Sequence, residues 1–383
     1  MSLWWVQKDQ LDDYQLQLIE DLPLGESHLI LGPPGSGKTN VLLRRAQFVR
    51  SQDMPNVLVL TFTRSLTEFV KTGCYDRGRE IYPPSLIQTI ESWLRSLYRR
   101  NHEPLPPDPG DLTERKRILA SGALQFSNLP LYDALFIDEA QDLLAEEIEL
   151  LKLCTGVLFF SGDDQQRIFT KTDGLQEVRR ILCPKEHTLP FHYRLAPEIC
   201  RMADRIMIPQ GRTSLASSCH YKGPKPGVIK VDGPLSRERQ RADAVGRIRD
   251  QLRIYGTFIQ QGDRIGVVVS RTDDRETVLE FLEQDPALSG KCKIIRARSD
   301  EDDDYDPSFD VEKPICILTV KGCKGLEFRT LHWLFSDDLR WLYDDEHYYT
   351  VVTRSKTELD IYHEAGLPEQ LARGHAATGE SRW

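Results

Sequence analysis

The chain has 383 residues, of which 40% are apolar and 28% charged, with a formal net charge of −9. This exceeds the ~250–300 residues of a single hydrophobic core, so two domains are expected. No run of ~18 apolar residues occurs and MSLWWVQKDQ at the start lacks the basic and apolar regions of a secretory signal, so a membrane span is excluded and a cytoplasmic protein expected.

From the amino end, residues 27–31 form a short apolar run. A glycine-rich segment follows, Gly32-Pro33-Pro34-Gly35-Ser36-Gly37-Lys38-Thr39, and then a helical period over residues 40–50. Strand, GxxxxGK[ST] and helix in that order form a phosphate loop. Gly35 and Gly37 let backbone N–H groups curl around phosphates at a helix N-terminus. Lys38 neutralises β/γ-phosphate charge and Thr39 ligates Mg²⁺, so ATP and Mg²⁺ are the expected ligands. Residues 57–61, 135–138 and 157–161 are further apolar runs with amphipathic stretches between them, the pattern of a parallel sheet covered by helices. The run at 135–138 ends in Asp138-Glu139-Ala140-Gln141-Asp142. Asp138 is placed for the Mg²⁺ shell and Glu139 for polarising an attacking water.

A second set of strand-like runs covers 227–231, 264–269, 292–295, 315–320 and 331–335, with helical periods at 197–206, 237–254 and 276–283. The expected domains are therefore residues 1–185, with a proline-rich insertion at 94–131, and residues 186–383. Eight acids and no base lie between Asp300 and Glu312, an acidic loop at 300–312 that supplies most of the net charge. Basic clusters at Arg95, Arg99 and Arg100, at Arg115, Lys116 and Arg117, and between Arg237 and Arg253 offer local surface for phosphates. The eight cysteines include no CxxC pair and no adjoining histidine cluster. They read as reduced, mostly buried thiols rather than zinc ligands or disulfides.

The Asp138–Asp142 segment resembles motif II of the UvrD/Rep family of superfamily 1 helicases, and further matches follow in the family order. Leu11-Asp12-Asp13-Tyr14-Gln15 resembles the Q motif, and the resemblance implies that Gln15 reads adenine. Thr61-Phe62-Thr63 resembles motif Ia, with Phe62 stacking on a base, and Gln88-Thr89-Ile90-Glu91-Ser92 a loose motif Ib. Residues 162–169 resemble motif III, placing Gln166 at the γ-phosphate and Phe169 on the nucleic-acid side. His192-Tyr193-Arg194 resembles motif IV, with Tyr193 on adenine and Arg194 on the γ-phosphate. Lys324-Gly325-Leu326-Glu327-Phe328 resembles motif V, with Lys324 toward nucleic acid and Glu327 toward nucleotide. Val352-Thr353-Arg354-Ser355-Lys356 resembles motif VI, with Arg354 a second arginine finger. The series departs from the family pattern at Asn40, Glu91, Thr170, Lys171 and Lys321.

The resemblance implies two tandem RecA-like P-loop NTPase lobes of α/β class, each a mostly parallel sheet with helices on both faces. It further implies a DNA-stimulated ATPase and 3′-to-5′ translocase or helicase on single-stranded DNA, with RNA the alternative substrate. Both candidate insertions fall below the ~50 residues of an independent domain, so a stripped motor core is expected. Such a core would work with a partner protein such as a nuclease in DNA processing or antiviral defence. The other reading is a regulatory ATPase that controls such a partner without processive unwinding.

Overall fold

A computed structural model describes residues 6, 8–76, 79–163, 173–207, 214–296, 308–338 and 340–376. Most of the acidic loop, including Asp302–Asp304, and both Gln166 and Phe169 lie outside the described residues. The chain divides into two compact units between Pro190 and Phe191. The expected division at 185/186 falls inside a strand of the first sheet, Lys185–Thr188.

The first lobe contains β1 (His28–Leu31), β2 (Val57–Thr61), the small antiparallel pair β3 (Tyr75–Asp76) and β4 (Arg79–Glu80), β5 (Ile87–Thr89), β6 (Ala134–Ile137), β7 (Leu158–Gly162) and β8 (Lys185–Thr188). Six of these form one sheet in the order β5-β2-β6-β7-β1-β8, with every neighbouring pair parallel. Central strands such as β2 and β6 are buried at every position, which accounts for their unbroken apolar sequence. Trp93, fully buried on the helix Ile90–Arg100, packs into the core with Leu119 and Ala120 of the helix Leu112–Ala123. The segment anticipated as an insertion is thus part of the lobe's own core.

The second lobe adds β9 (Val228–Asp232), β10 (Ile265–Val269), β11 (Cys292–Ile294), β12 (Ile315–Thr319), β13 (Phe328–Trp333) and β14 (Ser355–Tyr362). They form a second all-parallel sheet in the order β11-β12-β10-β13-β14-β9. β14 is buried along its whole length although it carries Lys356, Glu358 and Asp360. Its acids are matched by bases and amides. Lys230 Nζ donates to Glu358 at 2.8 Å, while Arg247 Nη1 and Gln251 Nε2 donate to Asp360 at 2.6 and 3.0 Å. The two lobes are RecA-like α/β units of the expected class.

The basic clusters are largely committed to acids. Arg95 pairs with Glu91, Arg115 with Asp108, Arg237 with Asp274 and Asp338, and Arg249 with Asp285. Among the described residues no helix is long and apolar enough to cross a membrane.

Candidate nucleotide site

Sheet order sets the site of the first lobe. β6, β7 and β1 are neighbours and run parallel, so their carboxyl ends lie side by side, where open α/β sheets bind ligands. The phosphate loop leaves β1, Asp138 follows β6, and Asp163 follows β7. Gly35 and Gly37 have φ of +78° and +89°, a conformation that costs L side chains ~1–2 kcal/mol. A Cβ on Gly37 would also stand 2.8 Å from Gln15 Nε2.

Lys38 opens the helix Lys38–Arg50, whose residues Val41, Leu42, Leu43, Ala46 and Val49 anchor it in the core. Its ammonium donates to the Gly32 and Pro33 carbonyls at 2.6 and 3.1 Å and lies 4.0 Å from Asp163. Thr39 Oγ1 donates to Asp138 Oδ2 at 2.8 Å, and Ser161 Oγ to Oδ1 at 2.5 Å. Burial pushes the Asp138 carboxyl above its ordinary range, Glu139 adds to this, and the two hydroxyls and Lys38 oppose it. A threonine hydroxyl touching a buried carboxylate is a hard oxygen pair suited to Mg²⁺. When bound, that ion would supply Lewis-acid polarisation of phosphate oxygens. Ser161 was not anticipated as a site residue, since in sequence it is only the polar end of an apolar run.

Glu139 follows in a left-handed conformation, φ +56°, at the start of a single 3-10 turn. Its carboxylate accepts from Gln141 Nε2, while Gln141 Oε1 accepts from Asp163 N at 3.0 Å. One glutamine thus links the β6 and β7 ends. Gln15 is buried, its amide accepting from Asp12 N at 3.1 Å and donating to Ser36 O at 2.9 Å. It braces the phosphate loop against the helix Asp13–Glu20, so reading adenine would require it to exchange those partners.

In the second lobe the candidate residues gather at amino ends of strands. Phe328 and Ser355 are register partners, so Glu327 and Arg354, which precede them, lie at the same edge. Arg194 Nη1 donates to Glu327 Oε2 at 2.9 Å, and Lys356 Nζ lies 2.6 Å from Glu327 Oε1. Lys356 also donates to Asp263 at 2.8 Å, and Asp263 accepts from Arg329 Nε at 2.7 Å. Burial would raise the Glu327 carboxyl, but the Lys356 and Arg194 cations beside it hold it down at about 2. Lys356, Asp263 and Arg329 were not assigned roles from sequence, and only Lys356 falls inside a motif. Tyr193 is half-buried, its ring 6.0 Å from that of His220. Arg354 is 3% exposed and donates to the Thr350 and Leu326 carbonyls at 3.1 and 3.4 Å. A role at a phosphate would require it to leave these partners.

The residues expected to meet nucleic acid are less available. Thr63 caps the helix Arg64–Lys71 and Thr89 the helix Ile90–Arg100, each accepting from a backbone N–H. Thr61 is buried with its hydroxyl 2.5 Å from that of Thr67, and Lys324 is 2% exposed. Phe62 is half-buried with the Lys116 ammonium 4.3 Å from its ring centroid. Lys116 in turn lies 3.0 Å from the buried Glu147 and donates to Asp142 O at 2.9 Å.

Residues 16–171 match a family described as an AAA domain. A search of curated proteins returns no match. Among solved structures the chain is similar to the PRRSV helicase, at 13% identity and a TM-score of 0.43, covering 88% of this chain and 52% of that one. It is also similar to arterivirus nonstructural protein 10, a helicase, at 13% identity and a TM-score of 0.44, covering 92% of this chain and 62% of that one. A third likeness is to the C-terminal domain of a possible DNA helicase from Lactobacillus plantarum, at 19% identity and a TM-score of 0.32, covering 48% of this chain and 95% of that domain. The chain thus spans between half and two thirds of the length of the first two. The AAA match spans the phosphate loop and the Asp138 and Glu139 carboxylates of the first lobe.

Proposed function

We propose that the chain is an ATP-driven motor on single-stranded nucleic acid, a DNA-stimulated ATPase and 3′-to-5′ translocase of the UvrD/Rep kind. The observation that supports this most is the assembly of Lys38, Thr39, Asp138 and Glu139 at adjoining strand ends. In this reading Lys38 and the loop N–H groups hold the β- and γ-phosphates, and Thr39 with Asp138 holds Mg²⁺. Glu139 orients the attacking water and accepts its proton. Arg194 and Arg354 are the candidates for supplying positive charge to the γ-phosphate.

A second reading, a regulatory ATPase that governs a partner such as a nuclease, draws support from the nucleic-acid side. There, Thr63 and Thr89 act as helix caps while Thr61 and Lys324 are buried. One experiment separates the two: steady-state ATP turnover of the purified chain alone, with single-stranded DNA, with duplex DNA and with RNA. Turnover raised many-fold by single-stranded DNA, together with displacement of a strand or roadblock from a 3′-tailed substrate, supports the motor. Turnover indifferent to every nucleic acid overturns it in favour of the regulator.

A further inference from the structure

The cysteines show no pattern in sequence, yet the second lobe brings two of them against a histidine. His192 and Cys219 face each other across an isolated parallel bridge, and Cys200 projects from the helix Pro197–Ile206. One imidazole nitrogen and the two sulfurs all lie within 4.8 Å of one another. Cys200 Sγ is 3.6 Å from the ring at Nε2, and both thiols touch one carbonyl, Leu195 O, at 3.7 Å from Cys200 and 3.3 Å from Cys219. His192 is 0% exposed. Its Nε2 lies 2.7 Å from Leu215 O, and because a carbonyl only accepts, that nitrogen carries the proton. Nδ1 is therefore the bare nitrogen, and it is buried with no hydrogen-bond partner. A buried unused lone pair is costly unless something takes it.

We propose that His192, Cys200 and Cys219 form a binding site for a thiophilic divalent cation, of which zinc fits best. Two sulfurs and an imidazole are a donor set that selects zinc over the hard cations, unlike the oxygen pair at Thr39 and Asp138. Ligand atoms on a tetrahedral zinc sit ~3.6–3.8 Å apart, so closing the cluster asks for a contraction of at most ~1 Å. The Cys200 sulfur lies beside Nε2, so metal binding there has the ring give up the Leu215 carbonyl or turn to present Nδ1. The fourth position falls to water or to the Leu195 carbonyl. The thiols bind as thiolates and release their protons on binding. The ion ties three segments together: the strand end before Tyr193 and Arg194, the first turns of the helix Pro197–Ile206, and the turn through Leu215 and Cys219. It thereby stiffens the backbone from which Arg194 reaches Glu327.

The site is tested on the full-length chain without a polyhistidine tag, reduced and stripped with chelator, by titration with cobalt(II) and by metal analysis after zinc loading. The expected result is about one ion per chain with the strong sulfur-to-cobalt charge-transfer absorption of a tetrahedral thiolate site. Cys219→Ser, which alters a half-buried position, should abolish that absorption. Cys183→Ser, an exposed cysteine of the first lobe, should keep it. Circular dichroism identifies any variant that fails to fold, and protection of the half-buried Cys219 thiol from alkylation by zinc in the wild-type chain gives a readout without substitution. No stoichiometric uptake by the reduced chain, uptake unchanged in Cys219→Ser, or a Cys200–Cys219 disulfide whose reduction brings no cobalt binding would each overturn the proposal. None of these readouts depends on ATP turnover, so the outcome is separate from that of the motor reading.

Discussion

The two lobes share an all-parallel six-stranded sheet but expose their candidate residues at opposite strand ends. In the first lobe the residues follow β1, β6 and β7, where glycine-rich backbone and short polar side chains stand at the strand ends. In the second lobe Glu327 and Arg354 precede β13 and β14, and the space is filled by a chain of ions: Arg194, Glu327, Lys356, Asp263 and Arg329. One end carries a glycine-rich loop with short hydroxyls, the other a set of charges paired among themselves. The difference teaches that the same sheet can carry an open-backbone loop at its carboxyl ends or a rigid mount for two arginines at its amino ends.

The comparison breaks first at the phosphate loop. Lys38→Ala and Glu139→Gln should each reduce ATP turnover to background, but only Lys38→Ala should also weaken nucleotide binding, measured with a fluorescent ATP analogue. Equal loss of binding in both would remove Glu139 from its assigned role. Next, Arg194→Ala should lower kcat by ~10²–10³ with a much smaller change in nucleotide affinity, as expected for a group that acts on developing charge. Wild-type turnover in that variant would confine the chemistry to the first lobe.

Stability sharpens the contrast. Removing one partner of a buried ion pair costs ~3–5 kcal/mol, so Asp263→Ala, which takes from Arg329 its carboxylate and leaves Lys356 only Glu327, should cost about that in chemical denaturation. In the first lobe Lys116→Met with Glu147→Leu replaces a whole buried pair and should be near neutral, while Lys116→Met alone should not.

A smaller effect is pH-dependent. The Glu327 carboxyl sits at about 2 in the folded chain against an ordinary 4.5, so its stabilisation is full above pH 4.5 and is lost as the pH falls toward 2. The stability gap between wild type and Glu327→Gln should therefore shrink by ~2 kcal/mol between pH 6 and pH 3. A gap that stays constant would show that Glu327 is not held by Lys356 and Arg194. Smallest of all, Arg179→Ala breaks an exposed pair with Glu186 on the β8 edge and should cost under ~1 kcal/mol.

Legibility followed apolarity. β2, β6, β7, β10 and β12 were readable because strands buried on both faces are continuous apolar runs. β14 was not, because Ser355–Tyr362 alternates Lys356, Glu358 and Asp360 with apolar residues and looks half solvated. β5 is only three residues long, and β8 reads Lys-Glu-His-Thr with mostly exposed side chains, so neither stands out as an apolar run. In the site, the phosphate loop and its carboxylates were visible because their spacing is local. Ser161, Asp263 and the His192–Cys200–Cys219 cluster were hidden, since contacts across 8 to 93 residues through loops and neighbouring strands leave no periodic trace.

The disguised strand also acts as a lock on alignment. Past a register irregularity between Ser355 and Glu358, side chains alternate along β14, so Glu358 and Asp360 share one face and Leu359 and Ile361 the other. Sliding β14 by one residue against β13 would exchange the two faces, setting Leu359 and Ile361 where Lys230, Arg247 and Gln251 now await carboxylates. A purely apolar strand would tolerate such a slip; this one forfeits several buried ion pairs at once. The same slip would carry Lys356 away from Glu327 and Asp263, so the acids that fix the strand's alignment also keep Glu327 beside its lysine.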